Sequence, residues 1–118
     1  MLQQFTQLAE SAPIPSPRPV GDISEPLKKY GQLRKEFLRS HHGGIYTGMM
    51  MTGSLDRHCL VLQHQAEDMM DDLTFQMMTA DQLDPSLRHS DPSMWNDRVR
   101  NIHELAEEAV LNRLIYAF

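Results

Sequence analysis

A stripe of apolar residues through positions 54–79 constrains the fold of this chain more than any other feature. Leu55, Cys59, Leu62, Ala66, Met69, Leu73 and Met77 recur at intervals of four, three, four, three, four and four. Those intervals return to one side of a helix, so the stretch predicts a continuous helix with one face to bury. About 26 residues of helix reach roughly 39 Å, the span of a small domain. The rest of the chain must cover that face or leave it in water.

Two segments have the pattern to cover it. A helix is expected from about Glu25 or Pro26 to Ser40, with Pro26 at its first position and Ser24 or Glu25 before it. Its apolar side is Leu27, Tyr30, Leu33 or Arg34, Phe37 and Leu38. His41, His42, Gly43 and Gly44 then end it, with glycine expected in the left-handed cap geometry. Asp91 and Pro92 set up a last helix, as cap and first-turn proline, that reaches about Tyr116. Trp95, Val99, Ile102, Ala106, Ala109 or Val110, and Leu114 form its seam, and Asp84 with Pro85 begins a short turn ahead of it. Two long seams joined by a connection of about ten residues predict an antiparallel helical hairpin.

Residues 45–51 are short, apolar and bracketed by glycines, and predict about two helical turns closed by Thr52 and Gly53. Ser54 can then cap the long helix. Met49, Met50 and Met51 make this segment apolar on every side, so it is either buried all round or a contact patch. Ahead of the helices, Pro13, Pro15, Pro17, Pro19 and Pro26 exclude a regular helix and predict an extended, partly polyproline-like arm. Leu2, Phe5 and Leu8 before it fit a helical turn or two. The expected fold is all-α: a small helical bundle over residues 25–118, built on a long antiparallel helical hairpin, with a proline-rich N-terminal arm over 1–24. At 118 residues the chain suffices for one modest core.

Charge is unevenly placed within a net charge of −5. Residues 18–42 hold six bases and three acids, giving +3, and residues 56–91 hold eight acids and two bases, giving −6. Such asymmetry can steer a charged partner to one end of the molecule. The single cysteine, Cys59, lies on the apolar stripe and allows no disulfide within the chain, which suits a reducing compartment. No basic stretch followed by an apolar one opens the sequence, and no apolar run approaches the roughly 18 residues of a membrane span. A cytoplasmic protein without membrane association is expected.

Chemistry is sparse. His41 and His42 are adjacent, His58 and His64 lie six apart, and no pair has the spacing of a helical metal site. Ser54, Asp56 and His58 crowd a helix start, a poor setting for a nucleophile, and no phosphate-cradling loop or dinucleotide fingerprint is present. Neither an enzyme nor a bound metal or cofactor is expected. Three surfaces remain as candidates. Tyr46, Met49, Met50 and Trp95 are residue types that favour protein contacts. Glu67, Asp68, Asp71 and Asp72 form an acidic helix face that can receive a basic partner or mimic phosphates. Lys28, Lys29, Arg34, Lys35 and Arg39, interleaved with Tyr30 and Phe37, can track a nucleic-acid backbone.

The run YGQLRKEFL at residues 30–38 resembles the "YGRLR-x-x-[YF]-L" opening of the TnpV family of transposon-encoded proteins. Ile45 and Tyr46, then Thr52, Gly53, Ser54 and Leu55, look like its "LY…SGKL" element. Trp95, Asn101, Ile102 and the run AEEAVLNRLIY at residues 106–116 are similar to its C-terminal "W…NNI…AEEIVL-x-ELIY" block. The resemblance covers roughly residues 21–117 in register. It implies a small bacterial protein carried on conjugative or transposable elements, with no implied biochemical activity. The expected function is therefore non-enzymatic, acting by protein–protein interaction within a mobile genetic element. The alternatives are an anti-defence inhibitor of the anti-CRISPR type, using its acidic face to block a nucleic-acid channel, and a DNA-binding accessory of transposition. The heptad-like seams also permit a homodimer.

Overall fold

The computed structural model describes residues 13–18 and 25–118. The turns expected around Leu2, Phe5 and Leu8, and the arm at 19–24, lie outside the described residues. All regular structure among the described residues is helical: α1 (Lys29–His41), α2 (Gly43–Thr52), α3 (Leu55–Ala80), α4 (Leu87–Ser90) and α5 (Pro92–Val110). A π-helical turn (Leu111–Ile115) continues directly from α5. The expected all-α bundle is what forms, and no helix among the described residues is long and apolar enough to cross a membrane.

The long stripe folds as its spacing predicts. Leu55, Cys59, Ala66, Met69, Leu73 and Met77 are buried on α3, while Leu62 is only half-buried. Met69, Leu73 and Met77 join Ile102, Ala106 and Val110 of α5, together with Leu114 and Ile115, in the main core. Each methionine, leucine, isoleucine or valine fully removed from water there contributes about 1.5–3 kcal/mol. Leu38, Leu55 and Cys59 form a smaller cluster at the other end of α3, with Leu27, Tyr46 and Met49 packed on it. Asp91 caps α5 as expected, its carboxylate accepting the Met94 amide at 3.2 Å behind Pro92. Arg98 near the start of α5 pairs with Asp81 at the end of α3 at 3.0 Å, whereas Arg34 links Leu114 and Ile115 to His58 near the start of α3. The two helices therefore run in opposite senses along their shared core.

Three local expectations need correcting. Helix α1 starts at Lys29, not at Glu25 or Pro26. Lys28 is extended and gives its amide to the side-chain oxygen of Gln63 on α3, and Leu27 sinks into the smaller cluster. Tertiary contacts thus hold residues 25–28 out of the helix that Pro26 would allow. Gly43 and Gly44 do not cap α1; His42 closes it, its amide on the Leu38 carbonyl at 2.8 Å, and both glycines open α2. The left-handed glycine is Gly53, at φ 76°, where α2 turns into α3. Ser54 does not cap α3. Its backbone is already helical rather than extended, and its hydroxyl meets that of Thr52 at 2.9 Å.

Glycine matters for a second reason at Gly31. A β-carbon there would lie 2.6 Å from Gln63 Oε1, 2.9 Å from Leu27 Cδ2 and 3.4 Å from the Cys59 carbonyl. Its lack of a side chain is what lets α1 approach α3 at this crossing.

Candidate functional site

Helix α2 is made almost wholly of glycine, threonine and apolar residues, yet none of its residues is buried. It lies across the N-terminal end of α3 by setting half-buried Tyr46 and Met49 onto Leu38, Leu55 and Cys59. Met51, 84% exposed, faces away from the core, while Met50, 56% exposed, and Ile45, 36% exposed, flank the face of Tyr46 and Met49 on either side. A depression of about 210 Å³ opens where α2 meets α3, lined by Lys35, Tyr46, Met49, Met50, Leu55 and Asp56. Lys35 and Asp56 pair across it at 3.3 Å. The result is an apolar surface with a charged edge, rooted in the core by Tyr46 and Met49.

Trp95 does not join that surface. It is half-buried on α5, with the Arg88 guanidinium 5.0 Å from its ring centroid, near the end of α3 that Asp81 closes. Tyr46 and Met49 lie at the opposite end, beside Leu55. Heptad spacing puts Trp95 on the seam of α5, but the seam begins to bury residues fully only at Ile102.

The acidic residues divide into two kinds. Glu67 and Asp68 are half-buried and face the arm. Arg18 Nε lies 2.8 Å from Asp68 and Arg18 Nη2 lies 3.8 Å from Glu67, while the same guanidinium donates to the His64 carbonyl at 3.2 Å. The buried Gln65 amide holds the arm a few residues earlier, donating to the Pro15 carbonyl at 2.9 Å. Asp71 and Asp72, one turn along, are exposed.

The basic residues do not form one open strip. Arg34 is 5% exposed and turned inward. Its Nη1 donates to the carbonyls of Ile115 at 2.9 Å and Ala117 at 2.6 Å, with Leu114 at 3.4 Å, and its Nε donates to His58 Nε2 at 3.3 Å. Phe37 and Phe118 lie on the guanidinium, 5.6 and 5.5 Å away. Arg34 thus satisfies the last carbonyls of the chain's final helical turn, and it is not available to a nucleic acid. Burial lowers its pKa, and burial, then the neighbouring guanidinium, lowers that of His58. Lys29 pairs with Glu107, Lys35 with Asp56, and Arg39 makes a two-pronged bond to Glu36. Lys28 is exposed.

Several residues that shape these surfaces carry no sequence signal. Gln63 is fully buried and Gln65 nearly so, although glutamine reads as a surface residue in any pattern. Phe75 is 73% exposed on the polar side of α3. Only the exception to helical periodicity could have marked them. Among the described residues, no group of three or more His, Cys, Asp or Glu side chains is placed to hold a metal ion. Burial pushes the Cys59 thiol up to about 11, which makes it an inert core residue.

A family model described as transposon-encoded protein TnpV matches residues 18–115. No curated protein and no solved structure matches the chain.

Proposed function

The chain belongs to the TnpV family of transposon-encoded proteins, and we propose that it acts without catalysis, by binding a protein partner of the mobile element or its host through α2. The observation that carries this reading is the exposure of apolar residues around that helix: Ile45, Met50 and Met51 stand in water although their helix has almost no polar side chain. Exposed apolar side chains gathered on one short helix are costly to leave wet and are commonly covered by a partner. Methionine side chains suit the task because they repack around varied shapes. Tyr46 and Met49 fix the patch to the core, so a partner meets a preformed surface. The nucleic-acid alternative draws less support, since Arg34 is internal and Lys29, Lys35 and Arg39 face carboxylates of their own chain. The anti-defence alternative keeps Asp71 and Asp72 as exposed acids, with Glu67 and Asp68 partly covered by Arg18.

The test is capture of partners by the tagged full chain from host lysate, with and without nuclease, for the natural protein and a Met50→Asp/Met51→Asp variant. Both positions are exposed, so circular dichroism should show an unchanged helical fold. A nuclease-resistant partner that the variant loses is the expected result. A partner held equally by both proteins, or one released by nuclease, overturns the reading.

A further inference from the structure

A second surface lies along the far half of α3, away from α2. Residues 67, 71 and 75 form one row of side chains four apart, and residues 70, 74 and 78 form the neighbouring row. The groove beside them is about 490 Å³ and is bounded on its other flanks by Tyr30 of α1 and His103 of α5. Met70, Met78 and the Tyr30 ring supply apolar walls, and Phe75 stands at the edge with 73% of its surface in water. From Glu67 to Met78 the groove follows about 17 Å of helix, or three turns. That length matches the contact of a partner helix laying down apolar residues at i, i+4 and i+7.

Charge identifies the occupant. Glu67 and Asp71 lie one turn apart on the row that ends in Phe75, so an apolar groove is flanked by two carboxylates. The chain already places one cation there, because the guanidinium of Arg18 reaches Glu67 at 3.8 Å. Asp71 is exposed, with no ion-pair partner found for it among the described residues. We infer that this groove docks a cationic amphipathic helix of a partner protein, its apolar side on Met70, Phe75 and Met78 and its lysines or arginines on Glu67 and Asp71. Two methionines in the floor let the groove accept leucine, isoleucine or phenylalanine anchors with little selectivity. Acids at the rim exclude an acidic helix of the same shape. The inference stands apart from the α2 surface and does not depend on which partner that surface takes.

The probe is a short fluorescent peptide of leucine and lysine patterned as an amphipathic helix, titrated with the full chain. Its control has glutamate at every lysine position. The lysine peptide should bind, the glutamate peptide should not, and added salt should weaken the binding. Phe75→Ser, at an exposed position that leaves the core intact, should weaken it by roughly tenfold or more. Glu67→Lys combined with Asp71→Lys should reverse the preference, so that the glutamate peptide becomes the better ligand. That reversal is a readout that loss of fold cannot imitate. The inference fails if neither peptide binds, if both bind alike, or if Phe75→Ser leaves affinity unchanged. It also fails if the lysine peptide binds only after Leu2, Phe5 and Leu8 are replaced by serine, since the chain's own N-terminal segment would then be the occupant. A concentration-dependent dimer abolished by Phe75→Ser would assign the groove to a second copy instead.

Discussion

Replacing Arg34 by methionine removes a buried cation while keeping most of the volume of its stem. In the native chain its two shorter bonds, at 2.9 and 2.6 Å, satisfy the carbonyls of Ile115 and Ala117. Hydrogen bonds from a charged donor contribute about 1.5–3 kcal/mol each, or about 3–6 kcal/mol for the pair. Against this stands the cost of holding a guanidinium away from water, several kcal/mol for a buried ion, which the substitution relieves. The carbonyls left behind can regain water only if the final turn frays. With the gain and the relieved cost offsetting each other, the two carbonyls left without a donor, at about 1–3 kcal/mol each, set the net loss at about 2–3 kcal/mol, and for a domain of this size that is a fall in Tm of about 10 °C. Urea and thermal unfolding followed by circular dichroism would measure it. Amide exchange adds location: the Tyr116 amide, bonded to the Leu111 carbonyl at 2.8 Å, should lose protection before the amides of α3. Arg34→Lys should recover only part of the loss, because an ammonium cannot reproduce the planar fork between the carbonyls and His58. A methionine variant as stable as the natural protein, or more stable, with Tyr116 still protected, would refute the assignment of Arg34 as the pin of the final turn.

Two further outcomes follow from the packing of α1 on α3. Gly31→Ala should destabilise by about 1 kcal/mol, measured by urea unfolding, because overpacking of about 1–3 kcal/mol exceeds the gain in helix propensity of about 1 kcal/mol. Gln63 Oε1 cannot swing aside freely, since it holds the Lys28 amide, and a stabilised alanine variant would show that the crossing has slack. His58 should make stability fall as the solution is acidified. Its folded pKa lies below the usual 6.5, so in that window the unfolded chain binds more protons than the folded one. The contribution is fully present above pH 6.5, is lost as pH falls from there through the lowered folded value, and levels off below it. Urea melts across that range should show this slope in the natural chain and a flatter one in His58→Gln; an identical slope in both would remove His58 as its source.

Periodicity carried the reading of this chain wherever burial follows a regular repeat. Met69, Leu73 and Met77, then Ile102, Ala106 and Val110, are all buried as their spacing requires. It failed where a single side chain is used against its usual character. Arg34 reads both as an alternative to Leu33 on the apolar side of α1 and as one of five cations for a nucleic acid; it is interior, because the carbonyls of Ile115 and Ala117 offer a buried guanidinium acceptors that no sequence pattern displays. Trp95 reads as the first residue of the α5 seam, yet it remains half-buried beside Arg88. Of the four residues assigned to one contact surface, the fold gathers Tyr46, Met49 and Met50 and leaves Trp95 at the other end of α3.

The sequence by itself determined that the described part of the chain is helical, that one long helix runs from about residue 54 to 79, found at 55–80, and that Asp91 and Pro92 start the last one. Those outcomes depend on intervals of three and four and on capping chemistry, which are properties of neighbours along the chain. Its three blocks of motif likewise placed it in the TnpV family. Only the tertiary structure decided where α1 begins, which charges face inward, and which apolar residues remain wet. Lys28 leaves the helix because Gln63, far away in sequence, accepts its amide, and Arg34 leaves the surface because the end of the chain returns to it. Met51 and Phe75 stay exposed because no described element reaches them. Each of these is set by a contact between segments distant in sequence, or by the lack of one among the described residues, and a local pattern contains no record of either.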